Sequence, residues 1–145
     1  MEKRLDTLDT LRAEADALAK RLAPGDRATL VTLSGELGAG KTTFTQALAA
    51  SLGVEEPVTS PTFVLEKIYE LRGTERFKKL VHIDAYRLDG GTALGALGFD
   101  GLIEDPGNLI VLEWPERVSD ALAHPTLAIT LVANDDGSRT ITYAE

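Results

Sequence analysis

Apolar positions along this chain follow two periods. Between residues 5 and 22, Leu5, Leu8, Leu11, Ala15, Leu18 and Leu22 fall three or four apart with charges between them. That spacing predicts an amphipathic helix packed on a sheet and stopped by Pro24-Gly25-Asp26. Ala28 to Leu33 is a continuous apolar, β-branched run, the pattern of a buried strand. Thr43 to Leu52 returns to helical spacing through Phe44, Ala47, Leu48 and Leu52, and Gly53 closes it. Phe63 to Glu70 and Lys79 to Asp84 read as strands joined by a hairpin loop at Arg72 to Arg76, and so short a link makes them antiparallel. Leu109 to Glu113 is an apolar strand ending in a carboxylate. Thr126 to Ala133 and Ser138 to Tyr143 flank Asn134-Asp135-Asp136-Gly137, a hairpin signal. Short helices are expected around Thr92 to Leu97 and from Pro115 to about Ala121, with a turn at Asp105-Pro106-Gly107.

At 145 residues this is one domain with a core of its own, and 43% hydrophobic against 26% charged residues is ordinary for a folded globular chain. The absence of cysteine excludes a disulfide framework, a thiolate metal site and a cysteine nucleophile. No apolar leader or membrane-length window is present, so a soluble, cytoplasmic protein is expected. The net charge of −8 is unevenly spread: residues 88–145 carry 10 acids and 2 bases, whereas residues 66–87 carry 4 acids and 6 bases. Nucleic-acid binders gain affinity from clustered Lys and Arg that release phosphate counterions. A chain this acidic is poorly suited to grip RNA alone, so any work on nucleic acid calls for a partner that holds it. The basic stretch 66–87 and the first helix are the two candidate partner faces.

The chemistry is concentrated in Gly35-Glu36-Leu37-Gly38-Ala39-Gly40-Lys41-Thr42, which fits the P-loop pattern of Gly, four residues, then Gly-Lys-Thr. The strand before it and the helix after it supply the required context. In that setting backbone N–H groups converge at a helix N-terminus, where the helix dipole favours phosphate. Glycines permit the close approach and the unusual φ values. Lys41 is placed to reach the β- and γ-phosphates, and the Thr42 hydroxyl to ligate Mg²⁺. Pro61 forces Ser60 into extended backbone, so Thr59-Ser60-Pro61-Thr62-Phe63 reads either as a switch loop sensing γ-phosphate and Mg²⁺ or as an ordinary capped turn.

Hydrolysis or transfer also needs a carboxylate near the metal and an oriented nucleophile. Asp84 and Glu113 both end apolar strands, and Glu113 ranks first because its strand is the more apolar and central-looking. His82 shares a strand face with Asp84 by alternation and reads first as a structural histidine. Spacing leaves Trp114 open between a core and a rim aromatic.

Four separated pieces can be taken together: the P-loop through Thr43, Thr59-Ser60-Pro61-Thr62-Phe63, His82-Ile83-Asp84-Ala85-Tyr86-Arg87-Leu88, and Val111-Leu112-Glu113-Trp114. In this order and spacing, from about residue 5 to residue 143, the chain resembles the TsaE (YjeE) family, small bacterial P-loop ATPases of the tRNA threonylcarbamoyladenosine pathway. The resemblance implies a single-domain, three-layer α/β P-loop NTPase-like fold with a mixed parallel/antiparallel sheet. It implies ATP and Mg²⁺ as ligands. Gly35 through Thr43 and Thr59 would contact nucleotide, with Thr42, Asp84 and Glu113 at the metal and Lys41, Thr62, Asp84 and Glu113 in catalysis. Tyr86, Arg87 and Trp114 fall in the family's other motif positions. The implied partners are TsaD and TsaB, with tRNA reached indirectly through their complex. ATP hydrolysis would reset that assembly between rounds of threonylcarbamoyl transfer to the adenosine beside the anticodon. One departure stands out: relatives commonly carry acidic residues where this chain has Gly90-Gly91-Thr92-Ala93 before Leu94. That puts in question any partner contact or helix capping those acids provide.

Three other readings share a P-loop. A small-molecule kinase usually gathers several Arg residues over its phosphates, yet only Arg117 and Arg139 follow Leu88. A regulatory GTPase would need an Asn/Thr-Lys-x-Asp element, which the chain lacks. A nucleotide-dependent binding module with negligible turnover is partly compatible with the favoured reading.

Overall fold

The computed structural model describes residues 1–36, 38–58, 66–71, 76–122 and 124–144. In chain order the elements are β1 (Glu2–Leu5), α1 (Leu8–Arg21), β2 (Thr29–Ser34), α2 (Lys41–Ser51), β3 (Glu66–Glu70), β4 (Lys79–Asp84), α3 (Gly91–Gly95), α4 (Phe99–Glu104), β5 (Asn108–Glu113), a 3₁₀ turn (Pro115–Val118), β6 (Leu127–Ala133) and β7 (Arg139–Ala144). The seven strands form one sheet in the order β1-β7-β6-β2-β5-β4-β3. β6, β2, β5 and β4 run parallel, while β3 pairs antiparallel to β4 and β7 to both β6 and β1. This is the expected mixed sheet, with both anticipated hairpin pairings antiparallel.

Side-chain alternation divides the core into two layers, one on each face of the sheet. Val31, Leu33, Leu80, Leu109 and Val111 point to the side covered by α1 and α2, where Leu11, Leu18, Phe44 and Leu48 are buried. Leu30, Val81, Ile83, Ile110 and Leu112 point to the other side, beneath α3, α4 and the 3₁₀ turn. Strand β5 has neighbours on both edges and cover on both faces, so all six of its residues are buried. That explains its uninterrupted apolar run. Each fully buried Leu or Phe contributes about 1.5–3 kcal/mol relative to exposure, so the sheet's centre carries much of the fold's stabilisation.

Four elements differ from the sequence expectation. The first helix starts at Leu8, and Leu5 belongs to a strand. Thr7 and Thr10 fix that start reciprocally: the Thr10 N–H donates to Thr7 Oγ1 (3.1 Å) and the Thr7 N–H to Thr10 Oγ1 (2.9 Å). Residues 2–5 become a strand by pairing with β7, Glu2 opposite Thr142 through Leu5 opposite Arg139. The helix expected to reach Ala121 is a 3₁₀ turn ending at Val118. Helix α4 has no counterpart in the sequence reading, because its six residues complete less than two turns and show no period.

Candidate functional site

Strands β2, β5 and β4 end side by side, with Leu33 in register with Glu113 and Glu113 with Asp84. The carboxyl ends of these parallel strands form one rim, the usual location of ligand sites in open α/β sheets. Immediately after Ser34 the chain turns through the glycine loop. Gly35, Gly38 and Gly40 take φ values of +150°, +83° and +103°. At Gly35 the need is also spatial, because a Cβ would lie 2.5 Å from the Leu131 carbonyl oxygen. Gly40 is the N-cap of α2, and no side chain caps that end. The first turn of α2 therefore presents its backbone N–H groups unshielded by a side-chain cap, as anion-binding helix ends do.

A cleft of about 240 Å³ opens here. It is lined by Gly38, Gly40, Lys41, Thr42 and Thr43 from the loop and α2, and by Asp84, Glu113, Trp114 and Arg139 at or beside strand ends. Lys41 is only 6% exposed. Its ammonium donates to the carbonyls of Gly35 and Glu36, and lies 3.9 Å from the centre of the Trp114 ring. Burial lowers its pKa below the ordinary lysine value, opposed by the charges of Glu113, then Glu116, Asp84 and Glu36. Trp114 is the one non-glycine with positive φ (62°) among the described residues. Its N–H is tied to the Leu33 carbonyl at 3.1 Å. Such backbone costs about 1–3 kcal/mol, and here it brings the indole over Lys41. The indole also meets Tyr86 at a centroid separation of 4.9 Å, with the Arg117 guanidinium on the tyrosine's ring at 5.3 Å.

The carboxylates differ in setting. Asp84 accepts the Tyr86 N–H at 3.0 Å, which turns the chain out of β4. Glu113 is 2% exposed, and its Oε2 lies 2.6 Å from His82 Nε2. His82 is itself wholly buried, so a residue that spacing alone marks as structural proves to be in direct contact with a site carboxylate.

Of the residues singled out in the sequence, Gly35, Glu36, Gly38, Ala39, Gly40, Lys41, Thr42, Thr43, Asp84 and Glu113 belong to this loop and rim. Leu37, Thr59 and Thr62 lie outside the described residues, as does the rest of 59–65. Arg139 was missed. It comes from β7, lines the cleft, and donates its Nε–H to the Ala39 carbonyl at 3.0 Å. The available signal was its rarity, as one of two bases after Leu88.

Chemically, the loop suits a polyphosphate: its glycine backbone has no room for a Cβ at Gly35, and a helix N-terminus and a lysine converge on it. Mg²⁺ is usually held by one or two carboxylates, a hydroxyl, phosphate oxygens and water rather than by an all-protein cage. Thr42 with Glu113 and Asp84 matches that donor set. No cluster of three or more His, Cys, Asp or Glu able to hold a metal occurs among the described residues. No helix among them is long and apolar enough to cross a membrane.

A family model described as threonylcarbamoyl adenosine biosynthesis protein TsaE matches residues 5–141. The chain is 45% identical over 115 residues to the tRNA threonylcarbamoyladenosine biosynthesis protein TsaE of Streptomyces coelicolor, covering 79% of this chain and 73% of that one. It is 40% identical to the protein of the same description from Treponema pallidum, covering 82% and 84%. The crystal structure of Bacillus subtilis YdiB superposes with a TM-score of 0.78 at 29% identity, over 99% of this chain and 83% of that one.

Proposed function

The chain belongs to the TsaE family of tRNA threonylcarbamoyladenosine biosynthesis proteins, and from that footing we propose that it is a Mg²⁺-dependent ATPase. In this reading it serves threonylcarbamoyl modification of the tRNA adenosine beside the anticodon, acting with TsaD and TsaB to reset their complex between turnovers. The observation that carries the reading is the convergence of Lys41, Thr42, Asp84 and Glu113 on one cleft at the mouth of the glycine loop. The cleft has a single arginine among the described residues, Arg139, which favours hydrolysis over kinase-type transfer.

The glycine loop and the first N–H groups of α2 receive the β- and γ-phosphates, and Lys41 leaves the Gly35 and Glu36 carbonyls to neutralise them. The Thr42 hydroxyl with Glu113 and Asp84 would hold Mg²⁺, which neutralises charge that develops on the phosphate oxygens. Glu113 Oε1, the oxygen not engaged by His82, accepts a hydrogen bond from the attacking water and orients it. Trp114 covers the lysine and helps exclude bulk water from the phosphate end of the cleft.

The test measures ATP hydrolysis by the protein alone and with TsaD and TsaB, alongside Lys41→Ala and Glu113→Gln. Stimulated, Mg²⁺-dependent hydrolysis is expected, lost in Lys41→Ala through binding and in Glu113→Gln through turnover with nucleotide still bound. Undiminished hydrolysis in Lys41→Ala would refute the P-loop assignment. Phosphate transfer to a metabolite would make the protein a kinase instead.

A further inference from the structure

We propose that His82 is the positioning residue of Glu113: its ring N–H fixes the carboxylate so that one oxygen faces the metal and the water. The inference deepens the reading of Glu113 as a magnesium-side carboxylate and rests on it. Register creates the contact. Asp84 lies opposite Glu113, and His82 opposite Val111, so the imidazole reaches diagonally across one rung to Oε2 at 2.6 Å. Neighbours on this diagonal are within reach only of long or aromatic side chains. The two side chains are 0% and 3% exposed, and His82 is the only hydrogen-bond partner of that carboxylate among the described residues.

The other ring nitrogen decides between packing and positioning. His82 Nδ1 is buried with no hydrogen-bond partner among the described residues. A leucine or phenylalanine would fill the same place without an unsatisfied nitrogen, so packing alone disfavours an imidazole there. What the ring adds is one donor, aimed at Glu113. With the proton on Nε2 it donates to the carboxylate and leaves Nδ1 as a bare acceptor; a proton on Nδ1 would instead be a buried N–H facing no acceptor. A short bond to an ionised acceptor is among the stronger neutral–charged contacts available to a side chain. Holding Oε2 removes the free rotation of the carboxylate and leaves Oε1 as the oxygen offered to the cleft. Partners of this kind, which orient a metal-side carboxylate without touching the metal, typically tune affinity about ten- to a hundredfold.

The experiment titrates Mg²⁺ into the protein with ADP bound, following Trp114, the sole tryptophan, whose ring lies over Lys41. His82→Leu should weaken apparent Mg²⁺ affinity about ten- to a hundredfold, with Mg²⁺-free ADP binding within about twofold of the parent. His82→Gln, whose amide nitrogen falls near the place of Nε2, should recover most of the loss. Within a Glu113→Gln background, His82→Leu should add little. Should His82→Leu not fold, His82→Asn replaces it, since its amide is too short to reach Oε2. Equal weakening of Mg²⁺-free binding, no rescue by glutamine, or the same effect in the Glu113→Gln background would each overturn the proposal. Unchanged Mg²⁺ affinity in Glu113→Gln alone would instead remove the metal reading of Glu113, and the proposal with it.

Discussion

Gly35→Ala should be far more damaging than Gly38→Ala, although both glycines lie in the same loop with positive φ. Strain is common to the two: an alanine held in that region costs about 1–3 kcal/mol. The surroundings are not common. Among the described residues a Cβ at Gly38 meets no atom within 4 Å beyond its chain neighbours, whereas at Gly35 it lies 2.5 Å from Leu131 O, 3.3 Å from Ala39 Cβ and 3.4 Å from the Leu131 carbonyl carbon. Leu131 has little freedom to retreat. It is fully buried in β6, paired with Ile141 of β7 and one residue past Thr130, where the pairing with β2 ends. Overpacking against such a partner adds about 1–3 kcal/mol. Gly35→Ala therefore totals roughly 2–6 kcal/mol, a large share of the 5–15 kcal/mol typical of a domain. Urea denaturation of the parent and the two variants measures the difference directly. The expected gap between variants is about 1–3 kcal/mol, or roughly 2–12 °C in Tm for a domain of this size. Equal losses would refute the reasoning, since strain alone would then account for both.

Arg139→Ala removes the bond from the C-terminal hairpin to the loop carbonyl of Ala39. A net hydrogen bond of about 1 kcal/mol corresponds to a fall of roughly fivefold in nucleotide affinity by calorimetry, and unchanged affinity would separate the hairpin from loop support. The burial that lowers the Lys41 pKa predicts proton uptake on nucleotide binding, because phosphates restore the charged form. The window lies between the lowered value and the ordinary 10.5. In it the folded chain binds fewer protons than the unfolded one, so stability rises with pH there. Calorimetry in buffers of different ionisation enthalpy reads the uptake; Lys41→Arg should show none, and equal behaviour of the two proteins would rule the mechanism out.

Local pattern carried most of the fold. Strands β2, β4 and β5 and helix α2 are legible because each owns a continuous apolar run or a clear helical period. The β6–β7 hairpin is legible from Asn134-Asp135-Asp136-Gly137. Residues Glu2-Lys3-Arg4-Leu5 carry no strand signal of their own, and become a strand only by pairing with β7. The short α4 is equally silent; Pro115 does mark the start of the 3₁₀ turn, but the pattern carries a helix on to Ala121 where the turn ends at Val118. Loop glycines, Lys41, Thr42 and the two strand-end carboxylates are local features too. The contacts of His82, Trp114 and Arg139 are not, because each depends on which strand lies beside which.

Strand order also supplies a physical reason to separate the two carboxylates. From sequence, Asp84 and Glu113 each close an apolar strand, and only the more apolar, central-looking run before Glu113 ranks it first. In the sheet, β5 lies directly beside the loop-bearing β2, and β4 one strand further out. Glu113 is therefore on the same rung as Leu33, two residues before the loop begins, while Asp84 reaches that rung only through Glu113. Among charges acting on Lys41, that of Glu113 is correspondingly the largest and exceeds that of Asp84. The cost of this proximity is burial, which makes a carboxylate depend on a partner far more than an exposed one does. Asp84, turned toward the chain reversal at Tyr86, takes a backbone N–H. Glu113, deeper in the sheet, takes an imidazole from the neighbouring strand. The residue nearest the phosphate loop is thus also the one whose orientation the rest of the sheet must supply.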